Sequence, residues 1–111
     1  MSSREVPSGR ILQLFHKHGG RCVYCQRHVH LVGDAKHPLF ATIDHKTPRV
    51  KGGSNYLSNL TLACVQCNTV KDDLNYEEFT ALFDALGDID AVTNALQGPY
   101  MAKAWRTKSR A

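Results

Sequence analysis

The chain has 111 residues and a mass of 12.4 kDa, with 14 Lys and Arg against 10 Asp and Glu, a formal charge of +4. This length suits one domain and leaves no room for a doubly wound sheet, a kinase or a closed barrel. A hydrophobic content of 42% is too high for a disordered tail. There is no apolar run of membrane-spanning length and no secretory signal pattern, so no membrane partner and a cytoplasmic location are expected.

Taken in chain order, Ile11, Leu12, Leu14 and Phe15 predict a short amphipathic helix, with Pro7 near its first turn and Gly19–Gly20 at its end. Arg21 to Tyr24 reads as a short strand, residues 33–38 as a loop, and Leu39 to Ile43 as a second strand that stops where Asp44 and His45 turn the sequence polar. Residues 46–55, with Pro48, Gly52 and Gly53, read as a long shaped loop, and Asn59 to Leu62 leads into Cys64. Helix follows Cys67. Tyr76, Phe79, Leu82, Phe83 and Leu86 recur at helical spacing between an N-cap at Asn75 and a C-cap at Gly87. Asp88 caps a last helix with Ile89, Val92 and Leu96 on one face, and a further helical stretch reaches Trp105.

The net charge is a sum of opposed blocks. Residues 1–55 carry nine basic and three acidic side chains, residues 56–100 one lysine and seven acids, and Lys103, Arg106, Lys108 and Arg110 make the end basic again. A basic front and tail suit phosphate contacts, and the acidic block is expected to face away from such a partner.

The four cysteines form two pairs, Cys22-Val23-Tyr24-Cys25 and Cys64-Val65-Gln66-Cys67, separated by 38 residues. Two such knuckles match a tetrahedral structural zinc site in which each gives two thiolates. Disulfides suit a secreted chain, a thioredoxin-like redox pair needs one CxxC in a βαβ setting, and an iron–sulfur centre uses differently spaced cysteines. A zinc site filled by four thiolates is closed, so it supplies stability and leaves any chemistry to be done elsewhere.

Between the knuckles lies a second constellation: Asp44-His45-Lys46-Thr47-Pro48, Gly52-Gly53, Asn59-Leu60, and Asn68 to Lys71 after the second knuckle. Asp44 is a hard oxygen ligand for a magnesium-like ion, Asn68 offers a neutral amide oxygen, and His45 accepts a proton near neutral pH. Lys46, Arg49 and Lys51 cluster around His45 and the glycines as candidate DNA contacts.

These pieces together resemble the HNH endonucleases of the four-cysteine, zinc-containing type, over about residues 10–74. The resemblance rests on GGRCVYC, on Asp44-His45 with Pro48 and Gly52-Gly53, on Asn59-Leu60, and on CVQCNTVK. It implies an α+β fold, a small ββα-metal, treble-clef-like core held by a four-cysteine structural zinc with flanking helices. It implies a single domain over 1–111, with the core followed by a helical extension at 75–106 and a basic tail at 107–111. His45 resembles the general base of that family. Asn59 resembles the asparagine that holds the loop and helps orient the histidine. Asp44 and Asn68 resemble the ligands of a catalytic Mg²⁺, Mn²⁺ or similar ion, and Lys71 the basic residue one turn further on, a fourth DNA-contact candidate. The implied activity is metal-dependent hydrolysis of DNA phosphodiesters by a monomer or weak homodimer. The compactness is similar to phage or mobile-element nucleases, which implies a terminase or other packaging protein as partner in a bacterial or phage-infected cell. The rival expectation is a non-catalytic zinc module that binds nucleic acid or protein.

Overall fold

The computed structural model describes residues 3–4 and 9–97, and Pro7, Trp105 and the basic tail lie outside them. A two-stranded sheet pairs β3 (Ala41–His45) antiparallel with β4 (Leu60–Cys64), in a register that sets Asp44 opposite Thr61 and His45 opposite Leu60. All of β4 is buried. A second pair joins β1 (Ser3–Arg4) to β2 (Gly33–Asp34), inside a stretch expected to be only loop. Helix α1 (Arg10–Lys17) lies against β3 and β4, as does α2 (Val65–Lys71), which follows β4 without a break. Helices α3 (Tyr76–Leu86) and α4 (Ile89–Gln97) pack on each other, and α4 also packs on α2. The outcome is the expected small α+β core with flanking helices. Among the described residues no helix is long and apolar enough to cross a membrane.

Local chemistry explains the element ends. Helix α1 buries Ile11 and Leu14. Beyond it Gly20, at φ +74°, passes so close to the Phe15 ring that a Cβ would lie 2.8 Å from it. Asn75 caps α3 reciprocally: its Oδ1 accepts from the Glu78 amide at 2.8 Å while its own amide donates to Glu78 Oε1 at 3.0 Å. Gly87 ends α3 at φ +98°, and Asp88 accepts from the Ala91 amide at the start of α4. Phe79 is fully buried, Tyr76, Leu82 and Phe83 are half-buried against the core, and Leu86 stands 40% exposed.

Two strand expectations are corrected. Arg21 to Tyr24 is not a strand but the entry to a tight turn, with Cys22 N–H donating to the Arg27 carbonyl and Gln26 N–H to that of Cys22. A strand would send Cys22 and Cys25, three apart, to opposite faces, whereas the turn aims both sulfurs one way. The second strand begins at Ala41 and runs through Asp44 and His45, because the ladder to Thr61 and Leu60 holds their backbone whatever the polarity of the side chains.

Candidate active site and metal centre

The sulfurs of Cys22, Cys25, Cys64 and Cys67 all lie within 4.8 Å of one another. Tetrahedral zinc with bonds of about 2.3 Å requires sulfurs roughly 3.8 Å apart, and Cys25 Sγ and Cys64 Sγ are 3.9 Å apart. The four thiols therefore fit a zinc ion. Backbone amides turn toward the sulfurs as well: Tyr24 N–H donates to Cys22 Sγ at 3.4 Å and Cys67 N–H to Cys64 Sγ at 3.3 Å, the latter also capping α2. Arg27, which no sequence motif singles out, donates through Nε to Cys25 Sγ at 3.2 Å. Its Nη2 reaches Cys64 Sγ at 3.8 Å and Gln66 Oε1 at 2.6 Å. Four thiolates on a dication leave an excess of negative charge, and this guanidinium opposes it. Without a metal the crowded sulfurs cannot all ionise: hydrogen bonds from the neighbouring thiols hold Cys64 down to about 7 and Cys25 lower still, while Cys22 and Cys67 are pushed up.

A separate cavity of about 140 Å³ opens where the end of β3 meets α2. Ile43, Asp44, His45, Arg49, Asn68 and Lys71 are among its lining residues. Three of the four residues expected to do the chemistry, Asp44, His45 and Asn68, thus meet in one place, with the contact candidates Arg49 and Lys71 beside them. The cavity holds room for several waters.

Asp44 is buried, and its carboxylate is held from two sides. Oδ2 accepts a hydrogen bond from the Tyr24 hydroxyl, and Oδ1 lies 3.3 Å from Lys71 Nζ. Burial raises the Asp44 carboxyl above its ordinary value, opposed by the Tyr24 hydroxyl and the Lys71 ammonium. Burial, followed by the Asp44 charge, raises the Tyr24 hydroxyl further. A carboxylate accepts about four hydrogen bonds or metal contacts, so two partners leave it able to bind an ion. The Asn68 amide is oriented by Nδ2 donating to Thr42 Oγ1 at 3.1 Å, while Thr42 in turn donates to the Ala63 carbonyl. Oδ1 is then the Asn68 atom left for a ligand. Two hard oxygens beside a space with room for several waters fit a magnesium-like ion, which keeps much of its hydration shell.

His45 Nε2 lies 2.8 Å from Asn55 Oδ1. An amide oxygen only accepts, so Nε2 carries the ring proton and Nδ1 is left as the basic nitrogen. Asn59 is not among the cavity-lining residues. Its Oδ1 accepts from Thr47 N–H at 2.9 Å, and its Nδ2 donates to the Thr47 and Ser54 carbonyls at 3.1 and 2.8 Å. It fastens the β3–β4 loop on both sides and so sets the position of Asn55, the residue that touches the histidine. Gly53 is required in the same knot, because a Cβ there would lie 1.7 Å from the Thr47 carbonyl oxygen.

The basic candidates divide. Arg49 is exposed and lines the cavity. Lys46 Nζ sits 5.5 Å from the centre of the Tyr76 ring, and Lys51 Nζ is 3.4 Å from Glu78. The acidic helices therefore do not lie wholly apart from the basic loop, as the charge blocks had suggested. Lys71 departs from its expected surface role: it is 1% exposed, and its ammonium faces Asp44 and donates to the His45 carbonyl at 3.0 Å. Tyr24 and Asn55, like Arg27 at the sulfurs, are polar partners that sequence reading missed. Tyr24 sits between two cysteines whose spacing accounted for the whole motif, and it meets Asp44 only across 20 positions.

The model of a family described as HNH endonuclease matches residues 22–74 of this chain. The matched span contains both cysteine pairs together with Asp44, His45, Asn59 and Asn68. The resemblance drawn from those motifs is thereby borne out over this span. No curated protein matches the chain.

Proposed function

We propose, taking residues 22–74 as the HNH endonuclease domain they match, that the protein is a metal-dependent DNA endonuclease. The observation that supports this reading is the meeting of Asp44, His45 and Asn68 around one cavity, apart from the four-cysteine centre. His45 Nδ1 takes a proton from a water poised for in-line attack on phosphorus, while Asn55 holds the ring through Nε2. Asp44 and Asn68 would hold the catalytic divalent ion, Mg²⁺ or Mn²⁺, which would supply positive charge to offset the negative charge developing in the phosphoryl transfer. Lys71 and Tyr24 fix Asp44, Asn59 fixes the loop, and Arg49 at the rim contacts phosphate, with Lys46 and Lys51 further out. The bond from phosphorus to the 3′ oxygen breaks, that oxygen takes a proton from solvent water, and the products carry a 5′-phosphate and a 3′-hydroxyl. One domain brings one such cavity, so a monomer nicks one strand at a time.

The test is conversion of supercoiled plasmid to nicked circles in Mg²⁺ or Mn²⁺. Wild type should nick, and His45→Ala should lose about 10²- to 10⁴-fold in rate, the usual share of a general base, with its zinc content unchanged. Absence of nicking by wild type in either ion, or equal nicking by the variant, would leave the protein a zinc-dependent binding module instead.

A further inference from the structure

The loop from 46 to 59 carries three cations, Lys46, Arg49 and Lys51, and no acidic residue. It also carries three of the exposed large apolar side chains: Val50 at 77%, Tyr56 at 76% and Leu57 at 37%. Burying a side chain of this size stabilises a fold by about 1.5–3 kcal/mol, and Tyr56 forgoes most of that. Slackness of the loop does not account for it. Tyr56 N–H donates to Ser54 Oγ at 3.3 Å, and the Tyr56 carbonyl accepts from Asn59 N–H at 2.8 Å. The adjacent Asn55 carbonyl accepts from Arg10 Nη1, and the Ser54 carbonyl accepts from Asn59 Nδ2. The ring is held outward on a fastened frame. It also stands one residue from Asn55, whose side chain touches His45.

An outward aromatic among cations, beside a site read as a nuclease centre, has the chemistry of a base-stacking platform. Bases inside a continuous duplex already stack on each other and offer no free face. We propose that Tyr56 stacks on an unpaired base close to the scissile phosphate, so that the enzyme favours DNA with a single-stranded or splayed nucleotide there. The basic loop meets the flanking phosphates, and Val50 adds a second apolar contact. This proposal rests on the nuclease reading and narrows its substrate.

Binding of oligonucleotides containing 2-aminopurine, single-stranded and in blunt duplex, tests it in buffer without added magnesium, using wild type, Tyr56→Phe and Tyr56→Ala. Stacking should quench the probe when wild type or Tyr56→Phe binds the single strand, and both should prefer that strand over the duplex. Tyr56→Ala should lose the quench and bind about 5- to 100-fold more weakly, the range for loss of one base–aromatic stack. Its zinc content and thermal transition should stay those of wild type, since the ring is mostly in solvent. Unchanged single-strand affinity in Tyr56→Ala, or equal loss in Tyr56→Phe, overturns the stacking role, as does a duplex preference without quench. If that happens while wild type still nicks plasmid, the nuclease reading stands alone. If wild type neither binds nor cuts DNA, both fall.

Discussion

At Lys71 the chain carries a cation that sequence spacing places one helical turn beyond Asn68, where it reads as a surface contact. Packing of α2 against β3 takes it to 1% exposure and sets it against Asp44 and the His45 carbonyl. A buried ion pair is weak support for stability as such, because desolvation offsets the attraction, but removing one partner strands the other charge. Lys71→Met should therefore destabilise the protein by about 3–5 kcal/mol, measured by denaturant unfolding. Adding Asp44→Leu should recover most of that loss in stability, while the double variant, lacking the Asp44 carboxylate, should not nick. If the double variant is no more stable than Lys71→Met, the loss comes from packing of the lysine stem and not from the stranded carboxylate. The same residue shows where sequence reading stops. Asp44, His45, Asn59 and Asn68 stand out as candidates because their order relative to the two cysteine pairs is visible in the sequence. The atoms that orient them are not, since Tyr24 and Asn55 become neighbours of Asp44 and His45 only through the folded chain.

At the scale of elements, α3 was legible almost to its ends. Asn75, Glu78 and Gly87 specify its start and stop within a few positions, and the cap geometry is the one those residue types favour. Asn75→Ala should remove the reciprocal bonds with Glu78 and cost about 1 kcal/mol, a fall of roughly 4–8 °C in Tm for a domain this small. Calorimetry checks this, and an unchanged Tm would mean that tertiary contacts alone hold the first turn of α3. The first knuckle was illegible as a turn for the opposite reason. Arg21 to Tyr24 has the apolar and aromatic content of a strand, and only the demand that Cys22 and Cys25 face one point overrides it. The two-residue pairing of β1 with β2 spans about thirty positions and carries no local signal at all.

Across the whole molecule, the four cysteines tie the first knuckle to the end of β4 and the first turn of α2, and Cys22, Cys64 and Cys67 belong to the buried core itself. A chain of this length buries a modest core and gains correspondingly little from it. Apparent zinc affinities of comparable thiolate sites reach about 10–16 kcal/mol, as large as the entire stability of a typical domain, about 5–15 kcal/mol. Metal binding and folding should then be one transition. Stripping zinc with a chelator, or replacing Cys64 by Ser, should abolish the cooperative thermal unfolding seen by circular dichroism, and one equivalent of zinc should restore it for the stripped wild type only. A cooperative transition persisting in the zinc-free protein would show that the apolar contacts among α1, the β3–β4 pair and α3 suffice alone. Nicking should vanish together with the fold in the stripped protein and stay absent when magnesium alone is returned. His45→Ala, by contrast, should lose nicking with the unfolding transition intact. That separation is expected because the cysteine centre and the Asp44–His45–Asn68 cavity share no side chain, while α2 borders both: Cys67 belongs to the sulfur cluster and Asn68, the next residue, lines the cavity.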